Sequence, residues 1–93
     1  MLYMICCFDV PDGGAARQAA MDAHLVYVKQ HIGKFESIGP LMDADGKTAV
    51  GSLFIGDFPD AAAARAHINA DPFTRAGVFE SVVVRGFVNR AKR

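Results

Sequence analysis

His24 and Arg17 have the residue types and the spacing that acid–base chemistry on a small molecule would use. Both lie in a stretch without Gly or Pro, residues 15–31, which predicts a helix. At 100° per residue they fall, together with His31, within about 40° of one another at the border of an apolar stripe. An imidazole there would be partly desolvated and still reach a cleft, acting as a general base or acid while Arg17 held an anion. The pattern by itself favours a simpler alternative, a boundary histidine bonded to a backbone carbonyl.

Asp71 is the acid that would complete such a site. It follows the predicted end of a second helix and stands directly before Pro72. Its carboxylate would accept a hydrogen bond from an imidazole Nδ1–H and so fix the tautomer. The alternative is that Asp71 only orders the turn through its own backbone, and the pattern alone favours this alternative.

Other signals for a site are weaker. The spacing of His24, His31 and His67 matches no metal chelate, and we expect His67 to lie on the solvated face of its helix. The Gly13-Gly14 turn before the first helix lacks both the P-loop Lys-Ser/Thr pair and the Rossmann spacing. We therefore expect neither a metal nor an organic cofactor.

The elements that must position these residues follow one another as β-α-β-β-α-β. The predicted strands are residues 2–8, 35–42, 48–55 and 78–87, and the predicted helices are residues 15–31 and 61–69. Right-handed crossovers place both helices on one face of a four-stranded antiparallel sheet, a ferredoxin-like α+β fold. The first strand is short, lacks a basic leader and is followed at once by Asp9, so it is not interpreted as a signal peptide.

Local signals refine these elements. The apolar residues of the first helix recur at helical spacing and predict the face that lies on the sheet; they are Met21, Leu25, Val28 and Ile32. Gly33 predicts the end of that helix, and Asp60 the N-cap of the second. Gly39-Pro40 predicts a bulge or an edge position for the second strand. The turn at residues 43–46 predicts a hairpin, with Asp45-Gly46 supplying the positive φ angles.

Composition limits the function classes. The 93 residues fit one domain, residues 1–93, and ten acidic residues balance ten basic ones. A net charge of zero gives no electrostatic footprint for nucleic acid or an anionic membrane. No apolar stretch approaches the ~20 residues of a membrane span. Residues 89–93 are expected to form a solvated basic tail.

The two cysteines are neighbours in the first strand. A disulfide between Cys6 and Cys7 would be strained, so both are expected to be free. Side chains of adjacent strand residues point to opposite faces, so one thiol should lie in the core and the other at an interface or in solvent. Free thiols are typical of a reducing compartment, and we expect a cytoplasmic protein.

The sheet face without helices needs a cover. Residues 53–55 and 82–84 are apolar without alternation, and 52% of the chain is apolar. An apolar bare face of this kind is covered most simply by a second copy, sheet against sheet. We therefore expect a homodimer.

Several segments are similar to the YCII-related family. The most specific are Arg17 followed seven residues later by Ala23-His24-Leu25, and Ala70-Asp71-Pro72-Phe73. The remaining segments are Tyr3-x-Ile5, Ile38-Gly39-Pro40-Leu41, Gly51-Ser52-Leu53 and Ala76-Gly77-Val78-Phe79-Glu80. Together they extend over nearly the whole chain.

The resemblance implies a ferredoxin-like fold assembled as a dimeric α+β barrel. It also implies a His–Asp pair, proposed in the family as an active site, which maps onto His24 and Asp71. One member dehydrochlorinates a chlorinated hydroxyhydroquinone, and the related muconolactone isomerases share the dimeric fold. The implied activity is therefore cofactor-free proton transfer of the lyase or isomerase type, on a small anionic or phenolic molecule.

Three further residues are implied in substrate binding. Arg17 would hold a carboxylate or a developing enolate, and Tyr3 and Ser52 would line the same pocket, although packing and surface roles account for the last two equally well. Family members often have a second Arg three positions before the His. This chain has Met21 there, which bears on the choice of anion.

Two other functions stay open. A non-catalytic, ligand-binding or regulatory dimer would use the same cleft without chemistry, and nothing in the sequence separates it from the enzyme. A cofactor-free oxygenase on the same barrel would need an enlarged aromatic pocket, whereas most of the seven Phe are assignable to the core.

Overall fold

The computed structural model describes residues 1–91 and has the α+β, ferredoxin-like architecture expected from the sequence. Lys92 and Arg93, at the end of the predicted basic tail, lie outside the described residues. The elements are β1 (Leu2–Asp9), α1 (Gly14–His31), a 3-10 turn (Ile32–Lys34), β2 (Phe35–Met42), β3 (Ala49–Asp57), α2 (Ala61–Asn69), α3 (Pro72–Arg75) and β4 (Phe79–Gly86). The four strands form one antiparallel sheet in the order β2-β3-β1-β4.

The core lies between the sheet and the helices. Ile5 pairs with Phe54 on β3 and with Val84 on β4, and all three side chains are buried on the helix-covered face. Ala64 and Ile68 of α2 complete this cluster. Cys7 is also buried in it, whereas Cys6 points to the opposite face and is half-buried, so the prediction of two free thiols on opposite faces is confirmed.

The face that α1 presents to the sheet is polar, contrary to the apolar stripe predicted from its sequence. The buried residues of this helix are Arg17 and His24, while Leu25 and Ile32 are 53% and 52% exposed. The prediction that the apolar stripe lies on the sheet is therefore wrong for Leu25 and Ile32, whereas Met21 and Val28 are half-buried. The physical reason is that partners from the strands and from α3 satisfy both buried polar side chains, which removes the usual cost of burying them.

His67 is buried, contrary to the solvated position expected for it. Only 8% of the residue is exposed, because it belongs to the inner face of α2 together with Ala64 and Ile68. Its ring packs against Phe35 at 5.2 Å between centroids, and the Tyr27 hydroxyl donates to the His67 carbonyl at 2.8 Å. The spacing of positions 64, 67 and 68 is the helical i, i+3, i+4 signal that would have identified this face.

The predicted helix cap and edge strand are confirmed, whereas the prediction for the turn is correct only in part. Asp60 caps α2 by accepting from the Ala63 amide at 2.8 Å, and β2 is an edge strand as Gly39-Pro40 predicted. In the 43–46 turn only Gly46 has a positive φ, of 69°, whereas the Asp45 carboxylate accepts from the amides of the two residues after Gly46. The expectation of a positive φ at Asp45 is therefore wrong.

The short helix α3 was not predicted. Pro72 occupies its first turn, where a missing N–H costs nothing, and Asp71 precedes it in an extended conformation (φ −64°, ψ 133°). The same Asp-Pro pair thus ends the α2 region and starts α3. Within residues 1–91, none of the helices combines the length and the hydropathy that crossing a membrane requires.

Candidate active site

Asp71 is placed by the junction between α2 and α3, directly under α1. Its side chain is 0% exposed, and its Oδ1 atom accepts from the Phe73 amide at 2.8 Å as the N-cap of α3. The His24 Nδ1 atom lies 2.9 Å from the same oxygen and 3.0 Å from Oδ2. Because an ionised carboxylate only accepts hydrogen bonds, Nδ1 is assigned as the protonated nitrogen of the His24 ring. The tautomer of neutral His24 is then set, with Nε2 as a free acceptor.

The His24 ring is also fixed by aromatic packing. It stacks on Phe73 with centroids 3.8 Å apart and planes 10° from parallel, and it meets the edge of Phe54 at 6.4 Å. Within the described residues, no buried side-chain nitrogen lacks a hydrogen-bond partner, and Nε2 makes no hydrogen bond to these residues. The Nε2 atom is therefore not fully buried, and the His24 side chain lines a cavity.

A second buried polar pair lies two turns earlier on α1. The Arg17 Nε donates to Asp9 Oδ2 at 2.7 Å, and Nη2 donates both to Asp9 Oδ1 and to Ser52 Oγ at 2.9 Å. The guanidinium carbon also lies 4.7 Å from the centre of the Phe73 ring. Asp9 is not among the residues predicted for the site. Its signal is the strand period, because Asp9 follows the buried Ile5 and Cys7 on the same face and an acid there needs a cationic partner.

These groups surround a cavity of about 280 Å³ between α1 and the β2–β3 edge of the sheet. Its lining is mainly apolar and consists of Arg17, Met21, His24, Leu25, Val28, Ile38, Gly39, Pro40, Ser52, Phe54 and Phe73. Asp71 and Asp9 lie behind it, in contact with His24 and Arg17 respectively. The apolar stripe of α1 thus forms one wall of the cavity instead of covering the sheet.

The sequence-predicted site residues divide into two groups. The structure brings His24, Asp71, Arg17 and Ser52 together around one cavity. Tyr3 does not line it: it lies at the other end of β1, where it pairs with glycines of β3 and β4 and packs against the core. Met21, where family members often have Arg, contributes apolar surface.

Cys7 is the remaining reactive residue type near this site, beside Ser52 in the β1–β3 register. Burial, followed by the charges of its neighbours, raises the pKa of the Cys7 thiol to about 12. A thiol that stays protonated is a poor nucleophile, so the site offers acid–base groups instead. Among residues 1–91, three or more His, Cys, Asp or Glu side chains nowhere group in a way that could hold a metal ion.

Comparison with known proteins identifies relatives of this chain. The sequence profile described as YCII-related domain matches residues 1–88. Protein YciI of Escherichia coli O6:H1 and Protein YciI of Shigella flexneri are each 33% identical over 94 aligned positions, covering 94% of this chain and 96% of the relative.

Solved structures agree in fold. The 5-chloro-2-hydroxyhydroquinone dehydrochlorinase of Burkholderia phenoliruptrix AC1100, in complex with 2,5-dihydroxybenzoquinone, superposes with a TM-score of 0.88 at 27% identity, over 98% of this chain and 97% of that one. An antibiotic biosynthesis monooxygenase superposes with a TM-score of 0.51 at 21% identity, over 96% of this chain and 100% of the other. The second likeness extends to the fold alone.

Proposed function

Since the chain belongs to the YCII-related domain family, we propose that it is a cofactor-free enzyme of the lyase or isomerase type, with His24 and Asp71 as its acid–base pair. Its substrate is a small phenolic or anionic molecule. The observation that carries the proposal is the buried contact of 2.9 Å between His24 Nδ1 and Asp71 Oδ1, on a ring that also lines a cavity. This is the arrangement that a general base needs: one nitrogen fixed by a carboxylate and one presented to substrate.

The proposed chemistry is a proton transfer. His24 Nε2 takes a proton from a carbon next to a carbonyl, and the electron pair of the broken C–H bond moves onto the carbonyl oxygen to give an enolate. When the proton comes from a phenol, the electron pair stays on the phenol oxygen. Asp71 stabilises the imidazolium that forms. In an isomerisation the proton then returns to a different carbon; in a lyase reaction the electron pair returns from oxygen and expels a leaving group such as chloride.

The dehydrochlorinase likeness supports the lyase form of this proposal. That protein acts, by its name, on a chlorinated hydroxyhydroquinone and has a TM-score of 0.88 to this chain. The cavity of about 280 Å³ is near the ~300 Å³ lower end of small-molecule sites, which suits a single substituted ring.

A homodimer in the cytoplasm is part of the proposal. The helix-free face of the sheet carries apolar side chains, with Phe8 48% exposed, and a second copy placed sheet against sheet would bury them. The free thiols Cys6 and Cys7 support a reducing compartment.

A non-catalytic, ligand-binding dimer is the second candidate. The mainly apolar lining of the cavity, including Met21 and Leu25, is the observation that favours it, because such a wall binds a ring without needing chemistry.

The deciding experiment follows chloride release from 5-chloro-2-hydroxyhydroquinone and hydrogen–deuterium exchange of hydroquinone ring protons. We expect His24→Gln to lower either rate by about 10²–10⁴-fold. The matched control His31→Gln, on the same helix but outside the cavity lining, should keep the native rate. Native turnover by His24→Gln would refute the acid–base role. Binding of these molecules at His24 with no turnover would establish the second candidate instead.

A further inference from the structure

The charge of the Arg17 guanidinium is already matched inside the protein. Both oxygens of Asp9 accept from it, at 2.7 Å and 2.9 Å, and the two side chains are only 7% and 6% exposed. A bidentate carboxylate is one of the strong partners of a guanidinium in a protein. An incoming carboxylate would therefore compete with Asp9 for a cation that is not free.

The whole site carries no excess positive charge while His24 is neutral. Two carboxylates, Asp9 and Asp71, face one guanidinium, and the other lining residues include no Lys, Asp or Glu. A permanently anionic substrate would enter a low-dielectric cavity whose nearest fixed charges sum to minus one, and it would be disfavoured there.

Arg17 and Ser52 each keep a hydrogen-bond donor that a substrate oxygen could use. Nε and Nη2 make the contacts of Arg17 to Asp9 and Ser52, and Nη1 makes no hydrogen bond to the described residues. Because no buried side-chain nitrogen in residues 1–91 lacks a partner, Nη1 is not fully buried, and Arg17 lines the cavity. The Ser52 hydroxyl accepts from Nη2, so its own O–H remains available to donate. Two donors held in place by a buried ion pair suit an oxygen that gains negative charge during a reaction.

Arg17 and His24 meet on the Phe73 ring. The guanidinium carbon of Arg17 lies 4.7 Å from the centre of that ring, and the His24 imidazole stacks on it with centroids 3.8 Å apart. The oxygen-binding donors and the base therefore belong to one compact site.

We infer that Asp9 is a positioning and specificity-determining residue. By holding and neutralising Arg17, it makes the cavity select uncharged rings that bear a phenol or a carbonyl over rings that bear a carboxylate. Arg17 and Ser52 then donate hydrogen bonds to the substrate oxygen that becomes negative. The reaction part of this inference rests on the proposed function. In that reaction the proton moves from substrate to His24 Nε2 and the electron pair moves to the substrate oxygen. The positive charge forms beside Asp71, and the negative charge forms beside Arg17 and Ser52. The ligand preference stands separately, since it concerns binding alone.

The test uses two ligands of nearly equal shape that differ in charge, 4-hydroxybenzamide and 4-hydroxybenzoate. Their affinities are measured by NMR titration of the full-length protein, with the Arg17 Nε–H signal as the local probe. The native protein should bind the amide at least about tenfold more tightly. Asp9→Asn, which frees the guanidinium charge, should shift this ratio by about tenfold or more toward the carboxylate. The control Asp22→Asn makes the same charge change at an exposed position of α1 outside the cavity and should leave the ratio unchanged.

Several outcomes would overturn the inference. They are tighter binding of the carboxylate by the native protein, no binding of either probe at millimolar concentration, and an unchanged ratio in folded Asp9→Asn. Should Asp9→Asn not fold, the double variant with Arg17→Gln, uncharged at both positions, replaces it and must keep the preference for the amide, with binding followed at the His24 ring signals. If the protein shows this preference but catalyses no proton transfer, the inference stands and the enzymatic proposal is refuted. If His24 transfers protons on carboxylate substrates alone, the inference is refuted and the enzymatic proposal stands.

Discussion

The Oδ1 atom of Asp71 lies 2.9 Å from His24 Nδ1 while it accepts the Phe73 amide at 2.8 Å. One fully buried carboxylate oxygen thus caps a helix and orients the imidazole that faces the cavity. Phe73, whose amide holds Asp71, also supplies the ring on which His24 stacks at 3.8 Å. The local structure of α3 and the orientation of the base are therefore coupled through two residues.

Asp71→Asn should change the tautomer of His24. An Asn side chain still accepts from the Phe73 amide, but the amide nitrogen it brings donates a proton to Nδ1 and so favours Nε2–H. The variant should then stay folded, but Nε2 would carry the proton and could not act as a base. Replacing the aspartate of a catalytic triad by a carboxamide has the same effect on its histidine. The ¹⁵N shifts of the two ring nitrogens distinguish the tautomers directly, and the His67 signals serve as an internal control. An unchanged His24 tautomer would mean that Asp71 does not set it.

Asp71→Ala should destabilise the protein more than the loss of an ordinary cap. Asp60 makes a comparable N-cap on α2, at 2.8 Å, but is exposed and has no imidazole partner. We expect Asp60→Ala to lower the free energy of unfolding by about 1 kcal/mol and Asp71→Ala by about 2–4 kcal/mol, because the latter also strands a buried His24 N–H. Urea denaturation of both variants measures the difference. Equal losses would reduce Asp71 to a capping residue.

His67 should make the folded state sensitive to acid. Its burial against Phe58 and Phe35, followed by the charges of His31 and Lys34, lowers the pKa of its imidazole from the ordinary 6.5 to about 4, whereas Asp71 acts in the opposite direction. Between these two values the unfolded chain binds a proton that the folded chain does not. Stability from this residue is therefore fully present above pH 6.5 and is lost as the pH falls toward 4.

We expect the loss for His67 to be on the order of 2 kcal/mol, since partial solvent screening reduces the full value of the shift. The measurement is the difference in unfolding free energy between the native protein and His67→Gln, taken at neutral pH and near pH 4. The carboxylates common to both proteins cancel in that difference. A difference that does not change with pH would contradict the assignment.

The helix-free face of the sheet should control assembly. Val83 lies on that face, opposite the buried face that carries Val84, and it pairs with Cys6 across β1 and β4. Val83→Glu places a charge in the proposed interface, which an apolar surface cannot solvate, and should convert the dimer to monomers or prevent folding. Val26→Glu, at a 59% exposed position on α1, makes the same chemical change away from the sheet and should leave the dimer intact. Light scattering at several concentrations measures both, and a monomeric native protein would end the proposal of a dimer.

Much of the fold follows from patterns along the chain. β2 and α2 begin and end at the predicted residues, because the hairpin turn, the Asp60 cap and Pro72 act within a few residues of the ends they set. The two wrong predictions concern single helices. An isolated helix buries its apolar face, yet Leu25 of α1 is exposed; polar residues usually lie in solvent, yet His67 is buried.

The sequence by itself determined the order of the elements and the ferredoxin-like class, since local spacing carries that information. The His24–Asp71 pair was implied only by the family resemblance, because the pattern of residues alone favoured structural roles for both. Only the tertiary structure decided which of the candidates meet. It brought Asp9 onto Arg17 and Ser52, turned the polar face of α1 inward, left Tyr3 outside the cavity and buried His67. The physical reason is that burying a polar group is tolerable only when a partner distant in sequence satisfies it, and whether that partner arrives depends on strand register and helix packing.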